Sequence, residues 1–224
     1  PNPETEMTIP RHPAAWLLPV LVLPLLFMAG LRPAPAAAAD AVEVPLLPYF
    51  GDLRTVAVSI QGEEIPFLFD TGGGMTALTP ATARKAGCAP FGGITGIRFN
   101  GEKLSGQRTG PVSFGVGGVN LRAEAGVGDL EALGLKGVGG VLALQSFEGA
   151  AITLDLAGNR LILETPATLK KRVAGMKELT VRAGRQSGGA SLDFYARAQA
   201  RTGDLWLEMD SGNLEPVLLA PHAF

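Results

Sequence analysis

The chain has one cysteine and two histidines in 224 residues. Cys88 has no partner for a disulfide within the chain. One Cys and two His are too few for a zinc site of three or four nitrogen and sulfur ligands. The patterns HExxH, GxSxG, SxxK and GxxxxGK are absent, which removes the common metal, serine and phosphate-loop signatures. Lys and Arg number 19 against 21 Asp and Glu, and no dense basic patch is present, so nucleic acid is not an expected partner. Only two Tyr and two Trp occur. Any chemistry must therefore rest on carboxylates, hydroxyls and backbone, and neither a metal nor a cofactor is expected.

Apolar residues make up 46% of the chain and charged residues 18%, enough to bury a core. Glycine is abundant, with 30 residues. The first apolar feature is not a core element. Met7 is closely followed by Arg11 and His12, the stretch 13–31 carries no charge, and Ala36 to Ala39 precede Asp40. A basic start, an apolar middle and small residues at the exit predict a secretory signal peptide cut before Asp40. An uncleaved membrane anchor is the alternative, because the apolar run approaches the roughly 20 residues that span a bilayer. Either way the folded part is expected outside the cytoplasm, periplasmic or extracellular.

Beyond Asp40 short apolar runs alternate with turn residues, a pattern of β-strands. Arg54 to Ile60 and Ile65 to Phe69 read as a hairpin around Gln61 to Glu64. Pro80 to Ala86 reads as a short helix stopped by Gly87. The polar, Gly-rich stretch 92–110 carries Asn100-Gly101, a tight-turn signal. Gly115 to Gly118 reads as a hairpin turn, since no helix start follows to make a phosphate cradle. Strands are expected at Val112 to Phe114, Val119 to Val127, Ala151 to Leu156 and Arg160 to Leu163, with Val141 to Leu144 as a buried apolar run. Residues 1–39 are assigned to the extension and signal peptide, 40–165 to a first lobe, 166–178 to a linker and 179–224 to the start of a second lobe. In that second lobe strands are expected at Leu179 to Arg182, Ser191 to Gln199 and Asp204 to Met209.

One internal similarity stands out. Ile65-Pro-Phe-Leu-Phe-Asp70-Thr71-Gly72-Gly73 is followed by Thr76 to Pro80. Leu205-Trp-Leu-Glu-Met-Asp210-Ser211-Gly212-Asn213 is followed by Val217 to Pro221. Each reads as a strand, an Asp-Thr/Ser-Gly turn, a short strand and a Pro-opened helix. Either motif alone is a common strand-ending turn; the matched pair inside two similar halves is far more specific. Gly allows close approach of the second copy. Two such turns facing one another would hold two carboxyls about 3 Å apart, where they share one proton. The charged member then activates a water and the neutral member donates to a scissile carbonyl. His222 with Ser211, or Cys88 with His222, would make a different hydrolase, but no nucleophile elbow accompanies the first and Cys88 reads as a small buried thiol.

Over residues 44–224 the chain resembles aspartic peptidases of the pepsin/retropepsin type. The resemblance implies an all-β, acid-protease barrel of two pseudo-symmetric lobes, the second incomplete in this chain. It implies Asp70 and Asp210 as the catalytic dyad, with Thr71, Gly72, Ser211 and Gly212 supporting the turns and Thr71 and Ser211 bonding across them. Gly139 to Leu144 resembles the loop that braces a catalytic turn, Ala151 to Leu163 the hairpin that closes the lobe, and the stretch 92–110 a substrate-covering flap. Ala143 stands where the family loop has Gly, Gly73 and Asn213 replace the usual residue after the motif, and no flap tyrosine is present. The implied partner is a peptide or protein substrate. Two alternatives stay open: a homodimer using Asp70 from each copy, and a non-catalytic peptide-binding β module.

Overall fold

The computed structural model describes residues 40–98, 101–201, 203–214 and 217. The expected signal peptide, His222 and the helix expected at Pro221 lie outside the described residues.

Strand β1 (Val42–Pro48) pairs antiparallel with β2 (Arg54–Ile60), which turns into β3 (Glu63–Asp70). Gln61 and Gly62 both have positive φ at that turn, 51° and 84°, the backbone twist a two-residue hairpin needs. Alternation aims Val56, Val58 and Ile60 inward, each 1% exposed or less. The end of β3 is apolar on both faces: Phe67 and Phe69 enter the main core, while Leu68 packs with Leu53, Leu130 and Val141 in a second cluster. Burying each of these phenylalanines stabilises the lobe by about 2–3 kcal/mol. This double burial holds the strand end that carries Asp70.

A short strand, β4 (Ala77–Leu78), follows the Asp70 turn and leads into helix α1 (Pro80–Lys85). Thr79 caps the helix through the Thr82 N–H, Pro80 occupies its first turn, and Gly87 ends it at φ 70°. The Gly-rich stretch forms an exposed hairpin, β5 (Phe91–Ile97) with β6 (Lys103–Arg108). Next come the hairpin of β7 (Val112–Val116) with β8 (Val119–Ala123), then β9 (Gly126–Val127). Strand β10 (Gly140–Ala143) runs parallel to β3 and antiparallel to β4, setting Ala143 beside Asp70. The hairpin of β11 (Ala151–Asp155) and β12 (Arg160–Glu164) closes the lobe against β1. These twelve strands form one sheet, ten of them on a path from β11 to β5, with β7 branching off β2 and β8 pairing with β7.

The predicted linker is partly helical. Helix α2 (Pro166–Arg172) starts at a reciprocal cap between Thr165 and Thr168. Lys170, Lys171 and Arg172 occupy its last turn, where cations offset the helix dipole. Beyond it, β13 (Val181–Gly184), β14 (Asp193–Ala200) and β15 (Gly203–Glu208) make a separate three-stranded antiparallel sheet. Among the described residues the chain is thus all-β apart from short helices. Among the described residues no helix is long and apolar enough to cross a membrane.

Candidate active site

Asp70 ends β3 and Asp210 lies two residues beyond β15, so each sits where a strand gives way to a turn. Within each turn the carboxylate accepts a hydrogen bond from the glycine N–H two residues on: Gly72 to Asp70 at 2.9 Å, Gly212 to Asp210 at 2.7 Å. Between the turns the hydrogen bonds are reciprocal. The Thr71 N–H donates to Ser211 Oγ (3.1 Å) and the Ser211 N–H to Thr71 Oγ1 (2.9 Å). The Thr71 hydroxyl donates to the Met209 carbonyl (2.5 Å) and the Ser211 hydroxyl to the Phe69 carbonyl (3.2 Å). Each hydroxyl therefore both accepts from and donates to the backbone of the opposite turn, an approximate twofold with both side chains satisfied.

The glycines set the spacing. A Cβ on Gly72 would stand 2.5 Å from Asp210 Cγ, and one on Gly212 would stand 2.3 Å from Asp70 Cγ. Only a residue without a side chain lets each turn lie against the opposite carboxyl. The structure brings all six sequence-predicted residues (Asp70, Thr71, Gly72, Asp210, Ser211 and Gly212) into one assembly.

The Asp70 carboxyl is pushed up from its ordinary range to about 7. Burial is the largest cause, followed by the negative charge of Asp210 and a side-chain hydrogen bond with it. The Gly72 N–H pulls the other way, and Glu208 adds a small upward push. A neutral carboxyl and a charged one within hydrogen-bonding reach can donate and withdraw protons in one step.

Behind the first turn a buried polar group fixes the backbone. The Ala143 N–H donates to Thr76 Oγ1 at 3.0 Å, and the Thr76 hydroxyl lies 2.6 Å from that of Ser146. Gln145 Nε2 in turn donates to the Glu124 carbonyl at 2.7 Å. Ala143 is fully buried and its methyl group is accommodated, so the departure from Gly at this position leaves the brace intact. Cys88 packs against the main core, its thiol facing the Ala86 carbonyl at 3.7 Å and pushed up by burial. Among the described residues, no group of three His, Cys, Asp or Glu is disposed to hold a metal ion.

Two acids near Asp210 did not emerge from the motif. Asp193 begins β14 and is 6% exposed, while Glu208 ends β15 and is open to solvent. The Asp193 carboxyl is pushed up by burial and then by Asp210. That of Glu208 is pushed up to about 6, by burial first and then by Asp193 and Asp210. Glu208 had a legible signal, standing two residues before Asp210 on a strand. Asp193 had none, because its place opposite Asp210 depends on the register of β14.

Residues 56–142 match the family described as aspartyl protease. Among solved structures, a retropepsin-like aspartic protease from Rickettsia conorii is 20% identical with a TM-score of 0.41, over 55% of this chain and 91% of that one. Conglutin gamma, a basic 7S globulin from lupine seeds, is 11% identical with a TM-score of 0.42, over 71% of this chain and 59% of that one. No curated protein matches the chain.

Proposed function

We propose that this chain, whose residues 56–142 match the aspartyl-protease family, is an aspartic endopeptidase with Asp70 and Asp210 as its catalytic pair. The observation that carries the reading is the reciprocal bonding of the two turns, with Gly72 and Gly212 packed on opposite carboxyls. In the proposed reaction the charged carboxyl takes a proton from a bound water, whose oxygen forms a bond to the scissile carbonyl carbon. The neutral carboxyl donates its proton to the carbonyl oxygen, giving a gem-diol. The carboxyl that now holds the proton then donates it to the amide nitrogen while the other carboxylate takes a proton from a gem-diol hydroxyl, so that the C–N bond breaks to a carboxylic acid and an amine and the pair again holds one proton. The hairpin of β5 and β6 is the proposed cover over a bound peptide.

The single-chain arrangement is favoured over a homodimer built on two copies of Asp70, because Asp210, Ser211 and Gly212 already occupy the facing position. It is also favoured over a non-catalytic module, since peptide binding alone does not call for two carboxyls forced together. The full chain should cut an unfolded protein substrate best on the acid side of neutral. Above about pH 7 the rate should fall as Asp70 loses its proton. Addition of EDTA should leave the rate unchanged. No cutting at any pH between 3 and 8 would end the reading.

Export is part of the proposal and rests on the apolar stretch 13–31 followed by Ala36 to Ala39. Edman sequencing of the protein from an extracytoplasmic fraction should begin at Asp40. A sequence beginning before Pro33 would favour an anchored form.

A further inference from the structure

The two catalytic aspartates are flanked by opposite chemistry. On the Asp70 side, Thr55 pairs with Leu68 across β2 and β3; continuing that register sets Leu53 opposite Asp70. On the Asp210 side, Tyr195 pairs with Glu208 across β14 and β15; continuing that register, as the Met209 N–H to Phe194 carbonyl bond does, sets Asp193 opposite Asp210. Leu53 and Leu68 therefore correspond to Asp193 and Glu208. The leucine pair is closed into a core with Leu130 and Val141. In the acidic pair Asp193 is buried and Glu208 is exposed.

Side chains two apart on a strand share a face, as do directly opposed ones. Glu208 and Asp193 thus share the face that presents Asp210. Asp193 reaches toward the first turn: its Oδ1 lies 3.2 Å from where a Cβ on Gly74 would stand, and the Leu192 N–H donates to the Gly74 carbonyl at 2.8 Å. That buried Oδ1 has no hydrogen-bond partner. A buried carboxylate oxygen left bare costs free energy unless a donor arrives. Three cations of this part of the chain are engaged elsewhere: Arg182 stacks over Trp206 at 3.7 Å, Arg197 pairs with Asp204 at 3.5 Å, and Arg185 pairs with Glu148 at 2.5 Å. Among the described residues no ion pair includes Asp193 or Glu208. Nor do these acids converge on one point as metal ligands would.

We propose that Asp193 and Glu208 form a subsite for a lysine or arginine side chain of the peptide substrate, flanking the scissile bond on the Asp210 side. The inference rests on the peptidase reading and names the substrate class of that site. Asp193 supplies the buried floor and Glu208 the open rim. An ammonium or guanidinium group brings both the missing donor and the missing charge, which an apolar side chain cannot.

Paired peptides identical except for lysine or norleucine beside the cut, on each side in turn, test this with the full chain. At one of the two positions lysine should be preferred by at least tenfold in kcat/KM. The ratio should fall to within about twofold of one in Glu208→Gln and in Asp193→Asn. In Glu208→Lys the preference should move to a glutamate peptide, a reversal that no loss of folding can produce. A wild-type ratio near one at both positions, or one that Glu208→Gln leaves unchanged, overturns the subsite. Binding of the same pair to the Asp70→Asn chain separates the two readings. Tighter binding of the lysine peptide there, with neither peptide cut by the wild type, supports the subsite and rejects the peptidase. Equal binding of the two peptides rejects the subsite.

Discussion

Gly72 and Gly212 each lie against the carboxyl of the other turn, so a single methyl group at either position must move an aspartate. Gly72→Ala should lower kcat/KM by about 100-fold or more, the scale expected when reacting groups shift by about 1 Å. Retained activity would mean that the turns do not work in contact. The protonation of Asp70 has a further consequence for stability. Its folded pKa, about 7, lies above the unfolded value of 3.8, so the folded state binds this proton more tightly. Its contribution is fully present below about pH 4 and is lost as pH rises through about 7. Glu208, raised to about 6, acts in the same direction. Urea midpoints across pH 4 to 8 should fall with this sign, and less steeply in Asp70→Asn; an equal slope in the variant would remove Asp70 as the cause. The six turn residues were legible because their types repeat in two matching contexts. Asp193 was not, since nothing local distinguishes a buried acid at a strand start from a surface one.

At the scale of elements, the paired turns are held by two hydroxyls, each making two hydrogen bonds to the backbone of the opposite turn. Ser211→Ala removes one acceptor and one donor, and should cost about 1–3 kcal/mol, read as a shift in urea midpoint together with reduced kcat. An unchanged midpoint would show that the bonds are replaced by solvent. Most strands could be read from alternation and turn residues: the Gln61-Gly62 hairpin, the Gly87 helix stop and the hairpin around Ala157 to Asn159 all stand where expected. Strand β1 was harder, because Pro45 and Pro48 interrupt its pattern, and it forms by pairing with both β2 and β12. Helix α2 was hidden by its charge run. Its start depends on the Thr165 and Thr168 pair, a reciprocal cap outside the usual Glu or Gln form. Thr165→Ala should lower stability by about 1 kcal/mol, measured by urea denaturation, and leave peptide cleavage intact.

Across the whole molecule, a buried β lobe presents one aspartate on a strand packed on both faces, and a smaller three-stranded sheet presents the other. The lobe is rigid where chemistry requires it: β3 runs beside β10, and Thr76 ties that pairing to Gln145 and Ser146. The acids around Asp210 and the apolar packing around Asp70 make the assembly symmetric in its backbone and asymmetric in its surroundings. That combination explains why the pair was visible in sequence while its surroundings were not: the motif repeats, and the flanking residues deliberately differ in kind. The most direct test of the central claim is kcat/KM of the full-length chain carrying Asp70→Asn, Asp210→Asn or both substitutions. If the two carboxyls act as one unit with one shared proton, each single variant loses at least about 1,000-fold and the double variant loses no more than the worse single. Full activity in Asp210→Asn would contradict the account, because the second carboxyl would then have to come from elsewhere.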